Sequence, residues 1–232
     1  MKIHLSPRLA AVAEQVPVGS IMVDVGTDHA NLPIWMIENE RVVGAIGVDV
    51  AVGPLKQARR QAEAHFSKVQ VRHSDGLSSI EPGEVNCVTI CGMGGSTIAR
   101  ILADGQAVLK HVRRIVVQPQ GMEVDVRTLL LSLGWVCVQA CLVAEKKHLY
   151  VVESWERRPN GPVWSDADLR WGRLIRRAPD PLFCTWIRRQ LANVDQGLQR
   201  MQRAGQSDHS DAVDLRNERL RLESELRLIV DG

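Results

Sequence analysis

A doubly wound α/β sheet that closes with an antiparallel hairpin and carries a helical arm is the fold this sequence predicts, on three observations. Short apolar runs alternate with helical segments through residue 133, the pattern of a parallel sheet with helices on both faces. Two β-rich runs, 135–144 and 147–155, then meet at Glu145-Lys146-Lys147, too short a connection for a crossover helix. Beyond the linker Arg158-Pro159-Asn160-Gly161-Pro162, apolar residues recur at helical spacing.

The elements follow in order. Ser6 as N-cap and Pro7 in the first turn open a helix over 6–15. Strand 21–25, helix 31–39, strand 43–49, helix 53–66 and strand 69–72 come next. The buried strand 85–91 ends in Gly92-Met93-Gly94-Gly95, and helix 96–102, strand 114–118 and helix 124–133 complete the alternation. After the linker, Ser165-Asp166 caps a helix finishing in Arg176-Arg177, and Pro179 and Pro181 break it before a longer one. Ile187, Leu191, Val194, Leu198 and Met201 then form one heptad stripe, and Ala212, Leu215, Arg219, Leu222, Leu226 and Ile229 a second. Joined by the turn Gly205 to Ser210, they predict an antiparallel coiled-coil hairpin, provided Arg219 lies at its rim or snorkels. The expected domains are residues 1–157, the α/β body, and 163–232, the helical extension.

Length and composition narrow the function. With 232 residues, 45% of them hydrophobic, the chain can bury one sizeable core with an appendage. No apolar run reaches the roughly 18 residues of a membrane span, and the amino-terminal segment is amphipathic and interrupted by charge. Neither membrane insertion nor secretion is expected, and a cytoplasmic location is. The five cysteines are odd in number, lie mostly in apolar runs and lack zinc-site spacing, so reduced structural thiols and no metal are expected. Residues 157–232 hold 14 Arg, no Lys and 11 acids, whereas the first 156 hold 15 basic and 16 acidic side chains. The positive charge therefore sits on the arm, as arginine, whose planar fork suits phosphate but also serves ordinary solvated helix faces. Heptads can close within a chain or between two; a monomer is favoured.

In a doubly wound sheet ligands bind beyond the carboxyl ends of the strands. In this chain those ends carry Asp24, Gly26, Asp28 and His29 in the first, Asp49 in the second, Asp75-Gly76 in the third, Gly92-Met93-Gly94-Gly95 in the fourth and Gln118-Pro119-Gln120 in the fifth. A dinucleotide turn needs further glycines where Asp28 and His29 stand, and a carboxylate there repels a pyrophosphate. A ligand without phosphate, S-adenosylmethionine (SAM), fits better. Asp49 can accept from both ribose hydroxyls, Asp75 can accept from the adenine amino group, and the glycines admit close backbone approach. The closing hairpin agrees, because SAM-dependent methyltransferase sheets end this way and dinucleotide Rossmann sheets usually do not.

The sequence resembles the bacterial TrmK-type tRNA adenine-22 N1-methyltransferases over essentially its whole length. The similar segments are LSPRLAAVAEQVPVGSIMVDVGTDHANLP at 5–33, the acidic strand end at Asp49, DGL at 75–77, ICGMGG at 90–95 and VVQPQ at 116–120. GTDHANLP and GMGG are the specific motifs; the family usually carries Asn where this chain has Gln120. The resemblance implies a Rossmann-like SAM-dependent methyltransferase that acts on tRNA and releases S-adenosylhomocysteine (SAH). Adenine N1 has an in-plane lone pair, so its attack on the SAM methyl needs alignment more than a strong base. Asp28 is then the candidate for accepting the exocyclic amino hydrogen or stabilising the purine cation, unless it braces the turn. His29 is read as a pocket wall or donor, and Gln118 and Gln120 either hold the Watson-Crick edge beside Pro119 or cap their strand. Because N1 lies on the pairing edge, the base must be unpaired or extruded. Arg176, Arg177, Arg188 and Arg189 on the arm, with Arg8 and Arg100 near the pocket, are the candidate phosphate contacts. Three alternatives stay open: methylation of another RNA site, a nicotinamide-dependent oxidoreductase, which Asp28 and His29 disfavour, and a non-catalytic RNA-binding scaffold.

Overall fold

The structure is a computed structural model describing residues 3–178, 180–206 and 208–230, with backbone alone for Val230. Pro179, expected as a helix breaker, and Ser207, expected in the hairpin turn, lie outside the described residues. Seven strands form one sheet: β1 (Ser20–Val25), β2 (Val42–Asp49), β3 (Gln70–His73), β4 (Cys87–Met93), β5 (Arg114–Pro119), β6 (Trp135–Glu145) and β7 (His148–Arg157). Their order is β3-β2-β1-β4-β5-β7-β6, parallel through β5 and antiparallel in the β5–β7 and β6–β7 pairs. Strand order reverses between β1 and β4, which opens a crevice at their carboxyl ends.

Alternation along each strand builds two cores, one on each face. Val23 and Val25 of β1, Ile46 and Val48 of β2 and Ile115 and Val117 of β5 pack with Ile98, Leu102 and Leu130, on helices α4 (Gly95–Asp104) and α6 (Glu123–Ser132). Met22, Ala45 and Val116 face the other way, against Val12, Ile34, Met36 and Ala58 of α1 (Pro7–Gln15), α2 (Asn31–Glu38) and α3 (Val52–Ala64). Ser6 caps α1 as expected, its hydroxyl accepting from Leu9 N. Helix α5 (Gln106–Leu109), a single turn after Gly105, has no counterpart in the sequence reading.

The segment after the linker departs from expectation. One helix was expected to run on to Arg176-Arg177, but it breaks at Gly172 (φ +86°) into α7 (Asp166–Trp171) and α8 (Arg173–Arg177). The break has a cause in the body of the protein. Arg127, fully buried on α6, donates from one guanidinium nitrogen to Leu169 O and Arg170 O, each at 2.8 Å, and so caps the end of α7. The same guanidinium pairs with buried Glu153 of β7 at 2.9 Å. A Cβ on residue 172 would meet both partners at 3.1 Å. Helix α7 therefore belongs to the first compact unit, Met1–Leu174, and the second unit is Ile175–Gly232.

Within the second unit, α9 (Pro181–Arg203) and α10 (Ser210–Val230) pair antiparallel, as Arg219 against Asp195 and Leu215 against Gly197 show. Ile175, Phe183, Ile187, Val194, Ala212 and Leu222 are the buried apolar side chains among the described residues of this unit. Arg219 sits at the rim, half exposed, between Asp195 and Glu223. No described helix is long and apolar enough to cross a membrane.

Candidate active site

The crevice is built from the turn after β1. Gly26 N and Thr27 N both donate to Val48 O, at 2.8 and 3.0 Å, lashing the turn to β2. Gly47 leaves the space that the Thr27 side chain fills, since a Cβ there would stand 2.9 Å from it. Gly26 has φ +73°, a left-handed backbone that favours glycine, and a Cβ on it would lie 2.1 Å from Met93 Cε, so a side chain there would be strained and would displace the Met93 tip. Asp28 and Ala30 also take left-handed backbone, at φ +51° and +56°. Two such non-glycine residues in one turn are strain of the kind found at ligand sites.

Two carboxylates organise this turn from different depths. Asp49 is half buried at the end of β2, with Oδ1 accepting from Ala51 N at 2.9 Å and Oδ2 from Asp28 N at 3.3 Å. Each oxygen keeps a second lone pair, so both can still accept from a ribose. Asp24 differs from its expected place among the cofactor ligands. It is 6% exposed and lies beneath the turn, taking Thr89 Oγ1 at 2.7 Å and Thr27 Oγ1 at 2.8 Å. Burial pushes its carboxyl up to about 6, although the Thr89 and Thr27 hydroxyls and the charge of Arg8 oppose the rise. Asp28 and His29, by contrast, are exposed side by side, 3.7 Å apart.

The other predicted residues separate into exposed and scaffolding groups. Asp75 is exposed and paired with Arg100 at 3.2 Å, and Arg100 also reaches Asp104 at 3.4 Å. Gly76 is buried, with Ile101 3.1 Å from its Cβ position. Gly94 is open, whereas Gly95 is packed so closely that a Cβ would stand 2.1 Å from Met122 O. Gly95 therefore docks α4 on the Gly121-Met122 turn, while the space beside Gly94 stays open. Gln120 is exposed at the rim. Gln118 is not: it is fully buried, with Oε1 accepting from Arg8 Nη1 and Gly92 N and Nε2 donating to Pro119 O. Both lone pairs of its Oε1 and one Nε2 hydrogen are engaged inside the protein, so in this arrangement the buried side chain is turned away from a base edge.

Thr27, Thr89 and Gly47 are the contributors the sequence reading passed over. Their signal was weak, a hydroxyl in a strand and a glycine in an apolar run, and their partners lie on neighbouring strands. Among the described residues no three His, Cys, Asp or Glu gather in a metal-like group.

A parallel sheet that ends in an antiparallel hairpin, with an acidic turn at its switch point, defines a protein of the Rossmann-like methyltransferase class. A model of the methyltransferase domain matches residues 5–152. The tRNA (adenine(22)-N(1))-methyltransferase of Bacillus subtilis is 35% identical over 176 residues, 75% of this chain and 74% of that protein. The crystal structure of the B. subtilis m1A22 tRNA methyltransferase TrmK superposes with a TM-score of 0.82 at 27% identity, covering 99% of both chains. Streptococcus pneumoniae Sp1610, solved with S-adenosyl-L-methionine, gives 0.83 at 31% identity over 98% of this chain and 99% of its own. The chain belongs to the tRNA (adenine(22)-N(1))-methyltransferase family.

Proposed function

We propose that this enzyme transfers the methyl group of SAM to N1 of adenine 22 in tRNA, releasing SAH, and that it does so as a cytoplasmic monomer. The observation that carries the reading is the turn Val25 to Ala30, closed over the half-buried Asp49 carboxylate, on a chain that shares its family with the B. subtilis enzyme. SAM supplies an electrophilic methyl on a sulfonium; the chain supplies placement.

Asp49 holds the ribose and Asp75 the adenine amino group, while Gly26, Met93 and Gly94 form the walls. Asp28 and His29 face the incoming base. As N1 attacks the methyl carbon the C–S bond breaks, and positive charge spreads over the purine and its exocyclic amino group. The exposed Asp28 carboxylate, held out by its left-handed backbone, accepts that amino hydrogen or balances the cation. Gln120 is the side chain of the fifth strand end free to reach the base edge. Arg177, Arg188 and Arg189 on the arm provide phosphate contacts.

Transfer of labelled methyl to unmodified tRNA transcripts with adenine or guanine at position 22 tests the reading. Adenine-dependent formation of 1-methyladenosine is expected; methylation independent of that base moves the substrate elsewhere. Sedimentation of the free enzyme tests the monomer.

A further inference from the structure

We propose that Arg8 is a positioning residue of the methyl-transfer site, acting through the buried Gln118 amide to fix the Gly92 peptide and with it the β4 turn that walls the cofactor. The inference rests on the placement of the cofactor proposed above. It starts from a fault in the sheet. Cys91 pairs with Gln118 and Met93 with Pro119, so Gly92 is an extra residue between them, a β-bulge with φ +77°. A bulged residue loses its ladder partner, and its N–H must be satisfied elsewhere. Here the Gln118 side chain substitutes for the missing strand carbonyl, its Oε1 3.1 Å from Gly92 N.

An amide alone could swing away, but this one is held at both ends. Arg8 Nη1 donates to the same Oε1 at 2.6 Å, and Gln118 Nε2 donates to Pro119 O at 2.8 Å. Arg8 is itself fixed, with its backbone N–H on Glu145 Oε2 at 3.0 Å and its guanidinium 5.6 Å from the centre of the Tyr150 ring. The consequence appears one residue beyond the bulge. Bulges re-aim side chains, and here Met93 Cε is brought to the space that the missing Cβ of Gly26 leaves. A chain of interactions thus runs from Arg8 through Gln118, Gly92 and Met93 to the turn of β1. The guanidinium that the sequence offers as a phosphate contact is directed into the protein.

Calorimetric titration of SAH, with tRNA affinity at several salt concentrations and steady-state kinetics, separates the roles. Arg8→Met is expected to weaken SAH binding and raise KM for SAM about ten-fold, the scale of one charge-assisted hydrogen bond, with tRNA affinity and its salt slope unchanged. Arg8→Lys, which keeps a charged donor, is expected to recover part of that loss. Unchanged SAH binding together with weaker, less salt-dependent tRNA binding would overturn the proposal and make Arg8 a phosphate ligand. Equal loss of SAH and tRNA binding would also overturn it, as a general structural defect. Should Arg8→Met not fold, Gln118→Met decides on the same readouts. Asp49→Ala serves as the control: if it retains SAH binding, the cofactor placement itself fails, whereas loss with Asp49→Ala and not with Arg8→Met removes the positioning role alone.

Discussion

Asp24 and Asp28 stand four residues apart and bear opposite relations to water. Asp24 is nearly dry, and its pKa of about 6 lies above the 3.8 of a free aspartate. Between those values the folded protein keeps a proton that the unfolded chain has released, so stability falls as pH rises through the interval. The penalty is absent below the lower value and levels off above the upper one at about 3 kcal/mol, the energy of that shift. Asp24→Asn, whose amide can still pair with the rotatable Thr27 and Thr89 hydroxyls, is therefore expected to exceed the parent in stability at pH 8. The gap should close near pH 4, as urea denaturation at both values would show; a gap independent of pH would mean that Asp24 does not ionise. Asp28 is exposed and its carboxylate accepts no backbone bond among those described. Asp28→Asn preserves a residue that tolerates the left-handed backbone while removing the charge. Single-turnover methylation is expected to slow by about 100-fold or more with SAH affinity within a few-fold; equal losses of both would place Asp28 in cofactor binding instead.

At the scale of elements, the Arg127–Glu153 pair is the feature on which α6, β7 and α7 converge. Both side chains are fully buried, so removing one strands the other in a dry interior. Arg127→Met is expected to cost about 3–5 kcal/mol in denaturant unfolding, and Arg127→Met with Glu153→Leu to cost clearly less, because no charge is then left unpaired. If the double variant is no better than the single one, the capping of Leu169 O and Arg170 O matters more than the charge pair. This element also marks how far sequence reasoning reaches. The alternation of Val23, Val25, Ile46 and Val48 with polar punctuation was legible because period and turn chemistry are local. So were the positions of Asp49, Asp75 and the glycine turn at or just past the ends of their strands, since a strand end is visible in the sequence. Arg127 was not, because its partners are 26 and more than 40 residues away and its helix pattern is ordinary. For the same reason Gln118 reads as a base-edge contact or a strand cap until the bulge at Gly92 gives its amide a task inside the protein, and residues 166–177 read as a single helix until Arg127 and Gly172 divide it.

For the whole molecule, the charge that composition places on the arm is not all available to a partner. Arg176 is bound through two nitrogens to the buried Glu225, at 2.6 and 3.1 Å, and Arg219 is shared by Asp195 and Glu223. Arg176 thereby ties α8 to α10, and Arg219 ties α10 to α9. Arg177 and Arg188 are exposed on α8 and α9 and can meet phosphate without surrendering an ion pair described in the structure. Replacing both by Gln is expected to weaken tRNA binding about ten-fold or more and to lower the slope of log affinity against log salt by roughly one for each phosphate no longer neutralised. SAH affinity should not change, because neither residue belongs to the unit that carries the β1 and β4 turns. Arg176→Gln makes the contrasting case: it uncovers the buried Glu225 carboxylate, so its principal effect is expected on the melting of the arm helices. If instead Arg176→Gln lowers the salt slope as much as the double variant while the helices melt normally, the ion pair opens to bind RNA, and the division of the arm's arginines into hairpin ties and phosphate contacts is wrong.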